Sequence, residues 1–507
     1  MSVSQPTVAS GAPVAPAVTT DEQREAERYI VSGHHLSQQG RFREAESLYR
    51  KAIELRPGLP LAHNNLGWVR QMQGDGDGAV ASYRRALQLD PGLRIARRNL
   101  APLLVQLGRF DESIDLWHAE MLSGAAGHGW VDELISNAMG GRDLTLAGEY
   151  AELFARIRWG TQWYPPRRDK TLPPLSPQTP PVSLSMPKLL HDIEQFLYLQ
   201  RHGIFGGALT PVINDYERTV ERLATLDTEA RVPLDDEARQ AIGHVYNRII
   251  HVRDTPRVKR TLSERWDAGA VESDYLDRPP GIVVVDDFLS AEALEELRLF
   301  CLESTVWLAN RYAHGRLGAF FRDGFNCPLL LQIAEELRGA LPRVIGDRYP
   351  LRQLWGFKND HSLPADSTTH ADFAAVNVNF WITPDESNLD EGSGGMVIYD
   401  LDAPLDWDFT TYNGRSGFIR SYLQLQQARA VCIPYRQNRA IIFNSDLFHT
   451  TSAVHFRPGY EHRRMNITML YGHREHDVHH RQEGHRNLTP GPASWRSAAF
   501  SRTRRSR

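Results

Sequence analysis

The chain has 507 residues, several times the length of a usual domain, so we expect two to four separately folded units. Apolar residues make up 41% and charged residues 24%, which argues against a wholly disordered, collagen-like or coiled-coil protein. Because 58 basic residues stand against 62 acidic ones, the formal net charge is −4. The charge therefore favours neither a nucleic acid nor a membrane surface as partner.

Cysteine usage and hydropathy bear on the compartment. The three cysteines, Cys301, Cys327 and Cys432, form no CxxC pair, so neither a disulfide framework nor a thiolate zinc site is expected. The first residues carry neither the basic nor the apolar segment of a signal peptide, and no run of 18 apolar residues predicts a membrane span. A soluble, cytoplasmic protein is the expectation.

The first part of the chain contains a repeat. Residues 1–24 are small, polar and proline-containing, which predicts a disordered leader. A spacing of 34 then relates Gly40 to Gly74 and Gly74 to Gly108, and it recurs in four further pairs: Ala45 and Ala79, Tyr49 and Tyr83, Ala52 and Ala86, and Pro57 and Pro91. Small residues at a helix crossing, an aromatic between repeats and a terminal proline are what stacked helix–turn–helix units require.

The segments GRFREAESLYRKAIELRPG and GDGDGAVASYRRALQLDPG resemble the tetratricopeptide repeat family, over residues 25–121. A third copy, GRFDESIDLWHAEML, lacks the small alanines and the proline, so it is interpreted as a degenerate or capping repeat. The resemblance implies an all-α solenoid with a concave groove that binds a peptide or protein. The alternative is that the repeats only build a scaffold.

The middle of the chain is predicted to be mostly helical. Residues 122–163 have helical apolar spacing, and residues 164–187 are so rich in proline that an extended linker is expected. Helical periodicity resumes over 188–279, in PKLLHDIEQFLYLQRHGIF, TPVINDYERTVERLATLD and DDEARQAIGHVYNRIIHV. This last region is expected to support the domain that follows.

Residues 280–472 change to a strand pattern. After GIVVVDDFLS come two helical segments, AEALEELRLFCLES and LLLQIAEELRGALP, and then six short strands: RQLWGFKND, AVNVNFWITP, GGMVIYD, ARAVCIPY, RAIIFNS and RMNITMLYG. Short strands at near-regular spacing indicate a double-sheet barrel or jelly roll with helices on one side. Residues 473–507 are interpreted as a polar, basic tail.

Three residues of the strand-rich region form a candidate metal site. His370 and Asp372 are two apart, so in a strand both would point to the same face. His449 follows the strand RAIIFNSD, from which it could reach the same ion. Two imidazoles and one carboxylate on one octahedral face suit non-haem Fe(II), because they leave three positions open.

The motif HAD, the glycine-led strand SGGMVIYD, the distal histidine in NSDLFHTTS and the basic entry to RRMNITMLYG together resemble the 2-oxoglutarate/Fe(II)-dependent dioxygenases. The closest likeness is to the prolyl-hydroxylase-like branch, over roughly residues 280–472. The resemblance implies a double-stranded β-helix that holds Fe(II) on His370, Asp372 and His449. It also implies 2-oxoglutarate and O₂ as co-substrates, with ascorbate in a supporting role.

In this family an Arg or Lys begins a strand that reads R-x-S, and Arg464 and Asn466 occupy those positions here, with Asn in place of Ser. Arg463 is the alternative. Strand alternation puts Arg464 on the polar face with Asn466 and Thr468, so Arg464 is preferred. A guanidinium can hold the far carboxylate of 2-oxoglutarate by two hydrogen bonds. Resemblance further implies three residues that line the co-substrate pocket: Trp355, Asn379 and Thr468.

A repeat groove fused to an oxygenase suggests that the first part captures a polypeptide and presents it to the second. We therefore expect hydroxylation of a C–H bond in a protein or peptide side chain. Two alternatives stand beside this expectation. One is a small-molecule hydroxylase of a biosynthetic pathway, and the other is a non-catalytic adaptor with a vestigial barrel.

Overall fold

The computed structural model describes residues 21–107, 109, 112–113, 115–116, 129–159, 183–227, 229–365 and 368–474. The predicted leader as far as residue 20, most of the third repeat copy, the linker as far as residue 182 and the tail after residue 474 lie outside these ranges. The last four residues of the predicted leader, 21–24, belong instead to the first helix. Five helices form the N-terminal region: α1 (Asp21–Gln38), α2 (Phe42–Leu55), α3 (Pro60–Met72), α4 (Gly76–Leu89) and α5 (Arg94–Gln106). Helix α3 contacts both α1 and α5, and these three helices form one layer. Helix α1 also packs on α2, α3 packs on α2 and α4, and α5 packs on α4.

The 34-residue period has a physical cause in these helices. Gly40 and Gly74 adopt positive φ values of 75° and 83°, which glycine tolerates best, and each lies in the turn after a first helix. Gly33 and Gly67 lie where a first helix crosses the second helix of its repeat. A Cβ atom on Gly67 would lie only 2.8 Å from the ring of Tyr83. The absence of a side chain at Gly67 therefore leaves room for the ring of Tyr83.

Adding a methyl group at this contact is expected to destabilise the repeats. In Gly67→Ala, the gain in helix propensity is outweighed by overpacking against Tyr83, with a net loss of about 1–3 kcal/mol. Gly58→Ala is the matched control, because a Cβ there meets nothing within 4 Å. Urea unfolding monitored by circular dichroism measures both variants. Equal stabilities of the two variants would contradict the packing argument.

Helices from the middle of the chain lie against the C-terminal domain. They are α6 (Gly129–Gly140), α7 (Leu144–Trp159), α8 (Met186–Arg201), α9 (Leu209–Arg222), α10 (Asp236–Ile242) and α11 (Ala268–Asp277). Arg322 pairs with Asp132 of α6 at 2.8 Å, and Arg142 pairs with Asp347 at 2.7 Å. Apolar side chains of α7 and α8 belong to the same buried cluster as the large sheet described below. A short pairing of β1 (Ser183–Leu184) with β2 (Val232–Pro233) precedes this sheet.

The predicted third helix of this region is wrong beyond Ile242. Asn247 has a φ of 55°, which no helix contains, and the backbone forms turns over residues 243–247 and irregular structure from there to residue 252. The segment is held by tertiary hydrogen bonds instead, because the backbone nitrogens of Ile250 and His251 donate to Thr305 Oγ1. Its apolar side chains are buried without helical geometry, so their spacing misled the prediction.

The C-terminal domain is β-rich and contains a large antiparallel sheet. Six strands pair in the order β3–β10–β7–β13–β5–β4, and three more in the order β11–β8–β9. The strands are β3 (Ile282–Val285), β4 (Leu317–Phe320), β5 (Leu351–Lys358), β6 (Ser362–Leu363), β7 (Val376–Trp381), β8 (Met396–Asp402), β9 (Ala430–Ile433), β10 (Ala440–Asn444), β11 (Leu447–Thr451), β12 (Val454–His455) and β13 (Met465–Tyr471). The strand in GIVVVDDFLS and the six short strands predicted after the two helical segments are all present.

The two faces of the six-stranded sheet have different neighbours. Met465, Ile467 and Met469 belong to the cluster that includes α12 (Ala291–Glu303) and α13 (Pro328–Ala340). Trp381 and Phe443 belong instead to a cluster shared with the three-stranded sheet. The opposite face of β13, with its polar side chains, therefore looks between the two sheets, as the alternation predicted.

The segment between β8 and β9 forms two helices that the sequence analysis did not predict, α14 (Phe409–Gly414) and α15 (Ser416–Leu425). It contacts the chain beside His370, because the nitrogen of Ala371 donates to Tyr412 O and Asn413 Nδ2 donates to Ala371 O, both at 2.9 Å. The insertion thus helps to position the candidate site. Throughout the described ranges, no helix combines the length and apolarity needed to cross a membrane.

Candidate metal centre

His370 and His449 face each other across a single β-bridge. The nitrogen of His370 donates to His449 O at 3.0 Å, and the nitrogen of His449 donates to His370 O at 2.8 Å. Such a hydrogen-bonded pair brings opposite side chains together, and the two imidazole centroids are 4.5 Å apart. Residue 370 lies outside any longer strand, so the predicted strand around HAD shrinks to this one bridge.

Asp372 converges on the two histidines from the same segment. Its nitrogen donates to Ser445 O at 3.2 Å, which fixes the backbone beside β10. Its carboxylate is 4% exposed, with Oδ1 at 3.7 Å from His370 Nε2 and Oδ2 at 3.5 Å from His449 Nε2. Asn377 Nδ2 donates to Oδ2 at 2.8 Å and holds the carboxylate in this orientation.

The donor atoms of these three residues fit a divalent metal ion. One ligand atom from each residue lies within 4.8 Å of the others. His370 Nδ1 contacts Thr368 O at 2.6 Å and His449 Nδ1 contacts Leu447 O at 3.0 Å. A carbonyl on Nδ1 fixes the proton there and leaves the lone pair of Nε2 for a metal, as is usual for ligating histidines. Two neutral nitrogens and one carboxylate oxygen suit Fe(II).

Electrostatics keeps His370 and Asp372 in the protonation states that a metal requires. Burial and the neighbouring His449 lower the pKa of His370 to about 4, so its imidazole is neutral at pH 7. Burial opposes ionisation of Asp372, but the contact with His449 and the fields of His370, His449 and Arg316 outweigh it. The pKa of Asp372 is therefore lowered, and the site offers a carboxylate beside the uncharged imidazole of His370.

The low pKa of His370 predicts how acid affects the metal-free protein. Between about pH 6.5, the ordinary histidine value, and the folded value of about 4, the unfolded chain binds a proton that the folded chain does not. The free energy of unfolding therefore falls as pH falls through this window, by up to roughly 3 kcal/mol from this residue. His370→Gln should flatten this part of the stability profile, measured by urea unfolding from pH 7 to 4. An unchanged slope would contradict the assignment.

Arg464 is a buried cation on the interior face of the large sheet. The residue is 1% exposed, and its guanidinium donates to the carbonyls of Gly394 and Gly395 and, at 3.1 Å, to Asn466 Oδ1. A side chain at Gly395 would collide with the carbonyl of Ile433, which explains the glycine pair that leads β8. Burial lowers the pKa of Arg464 to about 9. Within the described part of the chain, no carboxylate forms an ion pair with it.

The neighbouring Arg463 has a different environment. Its Nε is 2.8 Å from Glu194 Oε2 on α8, and its Nη1 is 3.5 Å from Asp360 Oδ1. Arg463 is 5% exposed, so burial is similar for the two arginines and only the partners differ. The charge of Arg463 is neutralised on the outer side of the sheet, so of these two arginines Arg464 is the one available to an anionic ligand.

The other predicted pocket residues lie in adjacent rows on the same face. Thr468 is opposite Trp355 of β5 on one side and opposite Asn379 of β7 on the other. Asn379 Nδ2 donates to Thr468 Oγ1 at 2.7 Å, and its Oδ1 is buried without a hydrogen-bond partner. Asn466 lies one row further towards Arg464. The structure thus brings together the residues predicted to bind a co-substrate.

Sequence reasoning missed two polar residues of this interior. Asn377 lies two residues before Asn379 in NVNFW, so the same strand alternation could have found it. Arg316 precedes β4, a strand that was not predicted, and no motif pointed to it. Trp381 is buried and lies beneath Arg464, whose guanidinium carbon is 5.5 Å from the ring centroid.

Comparison with known proteins bears on the N-terminal region. The tetratricopeptide repeat family model matches residues 31–94 and 73–126. The N-terminal region therefore contains tetratricopeptide repeats. The solved "First TPR of Spaghetti (RPAP3) bound to HSP90 peptide SRMEEVD" is 18% identical, over 20% of this chain and 79% of its own, with a TM-score of 0.19. The "TPR2B-domain:pHsp70-complex of yeast Sti1" is 15% identical, over 25% of this chain and 98% of its own, with a TM-score of 0.20. No curated protein matches the chain.

Proposed function

We propose that this chain is an Fe(II)- and 2-oxoglutarate-dependent dioxygenase that hydroxylates a C–H bond of a peptide or protein. The observation that carries the proposal is a His–Asp–His donor cluster together with Arg464, a buried arginine that has no carboxylate partner among the described residues. The cluster suits a ferrous ion with open positions. Arg464 suits the far carboxylate of a dicarboxylate co-substrate, because a buried cation gains most from an anionic partner.

The strand order supports a double-stranded β-helix, the jelly-roll form that the proposal requires. Within the six-stranded sheet, β5, β13, β7 and β10 are consecutive neighbours. Across from them, β11, β8 and β9 are joined at the β11 edge by the bridge from His370 to His449. Two opposed four-stranded layers result if residue 370 is counted as the fourth strand.

Each residue has a definable task in the proposed reaction. When bound, Fe(II) with 2-oxoglutarate and O₂ supplies an oxidant that can convert a C–H bond into a C–OH bond. His370 and His449 would hold the ion through Nε2, and Asp372 would balance part of its charge. Arg464 would orient the co-substrate, and Asn466 would in turn hold the guanidinium. The buried walls around these groups exclude water, which strengthens each of these electrostatic contacts.

A turnover assay tests the enzymatic part of the proposal. The full chain is incubated with Fe(II), ascorbate and 2-oxoglutarate under O₂, and succinate is measured with and without candidate peptides or lysate fractions. Hydroxylation adds one oxygen atom to the product, which mass spectrometry detects. If neither succinate nor any self-oxidation forms, the chain is a non-catalytic adaptor.

The repeat array is the proposed capture surface for a polypeptide. Asn65 of α3 and Asn99 of α5 are 34 residues apart and therefore occupy the same position in successive first helices. Asn99 Nδ2 donates to Asn64 Oδ1, and Asn64 Nδ2 donates to Asn65 Oδ1, at 3.1 and 3.2 Å. A chain of partly buried amides along one layer of helices can hydrogen-bond an extended peptide backbone. This feature favours a peptide over a small molecule.

A variant that lacks the amides of Asn65 and Asn99 distinguishes a polypeptide substrate from a small molecule. The double variant Asn65→Ala/Asn99→Ala is expected to lower turnover of a protein substrate by about 30-fold, since two hydrogen bonds contribute roughly 1 kcal/mol each. Succinate formation without substrate should not change, because the metal centre is untouched. His35→Ala, an exposed side chain on α1, is the control. Full turnover by the double variant would favour a small-molecule hydroxylase with the repeats as scaffold.

A further inference from the structure

Residues 405–431, which lead from β8 into β9 and include α14 and α15, concentrate exposed apolar side chains. Among the described residues, fourteen large apolar side chains are exposed, and five of them lie in this stretch: Leu405, Phe409, Phe418, Leu425 and Val431. Exposed apolar residues scattered singly are normal on a protein surface, whereas a concentration of them marks an interaction site. The outer side of this segment is therefore a candidate binding surface.

The inner side of the segment packs directly behind the candidate metal centre. Ile419 and Leu423 of α15 are buried in one cluster with Ala371 and Phe448. Ala371 separates the two ligands of the HAD motif, and Phe448 directly precedes the third ligand. The outer side of α15 is thus separated from the ligand-bearing backbone by one layer of buried side chains.

The outer side of α15 carries a second apolar stripe. Phe418, Tyr422 and Leu425 follow the spacing i, i+4 and i+7, which places them on one side of the helix. Phe418 is 52% and Leu425 77% exposed. The ring centroid of Trp407 lies 5.2 Å from that of Phe418 and 4.9 Å from that of Tyr422. We call the surface formed by Trp407, Phe418, Tyr422 and Leu425 the aromatic flank.

The charges beside the aromatic flank are positive. Residues 409–445 contain five arginines and no acidic residue, in a chain whose net charge is −4. Two of the five, Arg436 and Arg439, pair with Asp286. Arg415 directly precedes α15 and Arg429 follows it, and both are exposed. An apolar surface between two cations complements a ligand that carries both apolar groups and negative charges.

The remaining charges favour a polypeptide over a lipid bilayer or a second copy of this chain. Asp406 and Asp408 alternate with the apolar side chains of Leu405, Trp407 and Phe409. An anionic bilayer would repel these carboxylates, and immersion would strip them of water. Two-fold pairing of the flank with itself would bring the arginines of both copies together. A polypeptide avoids both penalties, because its acidic side chains can lie at the ends of the flank.

We propose that the aromatic flank, with Arg415 and Arg429 at its ends, binds a segment of the polypeptide substrate that carries apolar and acidic side chains. The inference rests on the proposed function and adds to it a second capture surface, on the domain that holds the metal ligands. The amides of the repeats suit a peptide backbone and select no particular side chain. Aromatic side chains at the centre of an interface supply most of its selectivity and affinity.

Two matched peptides test the chemistry of the partner. The full chain, without added metal, is titrated into short fluorescein-labelled peptides in which leucine and phenylalanine are interspersed with glutamate, and fluorescence anisotropy measures the affinity. In the control peptide, lysine replaces each glutamate. The acidic peptide is expected to bind about tenfold more tightly at low salt, and the difference should shrink at high salt because the arginines are exposed. Equal affinities, or tighter binding of the basic peptide, would overturn the inference.

A double variant tests the location of the binding surface. Phe418→Ser/Leu425→Ser is expected to weaken the acidic peptide by about tenfold or more, because it removes two apolar anchors of the flank. Both side chains are exposed, so the fold should not change, and circular dichroism checks this. Leu190→Ser/Leu389→Ser is the matched control, since these leucines are 44% and 60% exposed and lie outside the segment. Wild-type affinity in the folded Phe418→Ser/Leu425→Ser variant would contradict the proposal.

A charge reversal tests the basic end of the flank. Arg429→Glu is expected to weaken the acidic peptide by about three- to tenfold at low salt, because an exposed attraction becomes a repulsion. Arg257→Glu, which reverses an exposed arginine outside the segment, is the control and should leave the affinity unchanged. Equal losses in the two variants would show that only the overall charge of the chain matters, and the proposed role of Arg429 would be wrong.

Two further measurements identify any other occupant. Co-sedimentation with vesicles of phosphatidylserine and phosphatidylcholine that Phe418→Ser/Leu425→Ser abolishes would assign the flank to a membrane and overturn the inference. So would a dimer, seen by light scattering, that this variant converts into a monomer. The proposed function is tested separately by succinate formation. If the acidic peptide binds at the flank but no succinate forms, the proposed function fails and the docking surface stands; if succinate forms and the peptide does not bind, only this inference fails.

Discussion

Asp372→Ala is expected to weaken divalent-metal binding strongly and to abolish succinate formation. Asp372 is the single carboxylate of the cluster and lies 3.5–3.7 Å from both imidazole Nε2 atoms. Four-ligand zinc sites bind with about 10–16 kcal/mol, so one ligand of such a site accounts for roughly 3 kcal/mol. Its loss weakens metal binding by about two orders of magnitude or more. Titration of Co(II), followed by its visible absorbance, measures affinity independently of turnover.

The control for this variant is Asp406→Ala, which removes an exposed carboxylate from the insertion after β8. It should leave both Co(II) affinity and succinate formation unchanged. Asp372→Ala is expected to stay folded, because it removes a buried charge as well as the hydrogen bond from Asn377. Circular dichroism checks this. A folded Asp372→Ala variant with wild-type turnover would remove the carboxylate from the mechanism and leave the repeats as the main functional element.

Strand alternation explains why much of the β-rich domain could be predicted. In β13 the apolar residues Met465, Ile467 and Met469 face the helices, and the polar residues between them face the interior. The same two-residue spacing identified His370 and Asp372 as candidate ligands, but a shared strand is not what brings them together. His370 and Asp372 do not share a regular strand; each is held by its own backbone hydrogen bond, to His449 and to Ser445.

Other parts of the fold depend on contacts that a sequence pattern does not encode. The stretch after Ile242 has helical apolar spacing, yet Thr305, more than 50 residues away, satisfies its backbone nitrogens in a turn. The helices α14 and α15 interrupt a series of strands and are stabilised by a cluster of their own that reaches Phe448. Arg316 enters the site only because β4 pairs with β5. Long-range pairing of this kind sets where a residue lies in the fold, whatever secondary structure its local sequence favours.

The choice between two adjacent arginines could not be made from spacing, and it leads to the second large expected effect. Arg464→Gln is expected to weaken 2-oxoglutarate binding to the Mn(II)-loaded chain by about 30-fold or more. Truncating one partner of a buried, hydrogen-bonded charge pair costs about 2–5 kcal/mol. Arg464 has carbonyl and amide acceptors but no carboxylate partner in the described structure, so the co-substrate would supply the missing charge.

Arg463→Gln is the matched control, one residue away and almost equally buried. Its partners Glu194 and Asp360 are about one-third exposed, so losing the pairs should cost little stability and change 2-oxoglutarate affinity by less than about threefold. The reverse pattern, with Arg463→Gln losing the co-substrate and Arg464→Gln retaining it, would mean that the ligand approaches from the α8 side of the sheet. In that case the interior face of β13 could not be the co-substrate site, since β13 itself separates the two guanidinium groups.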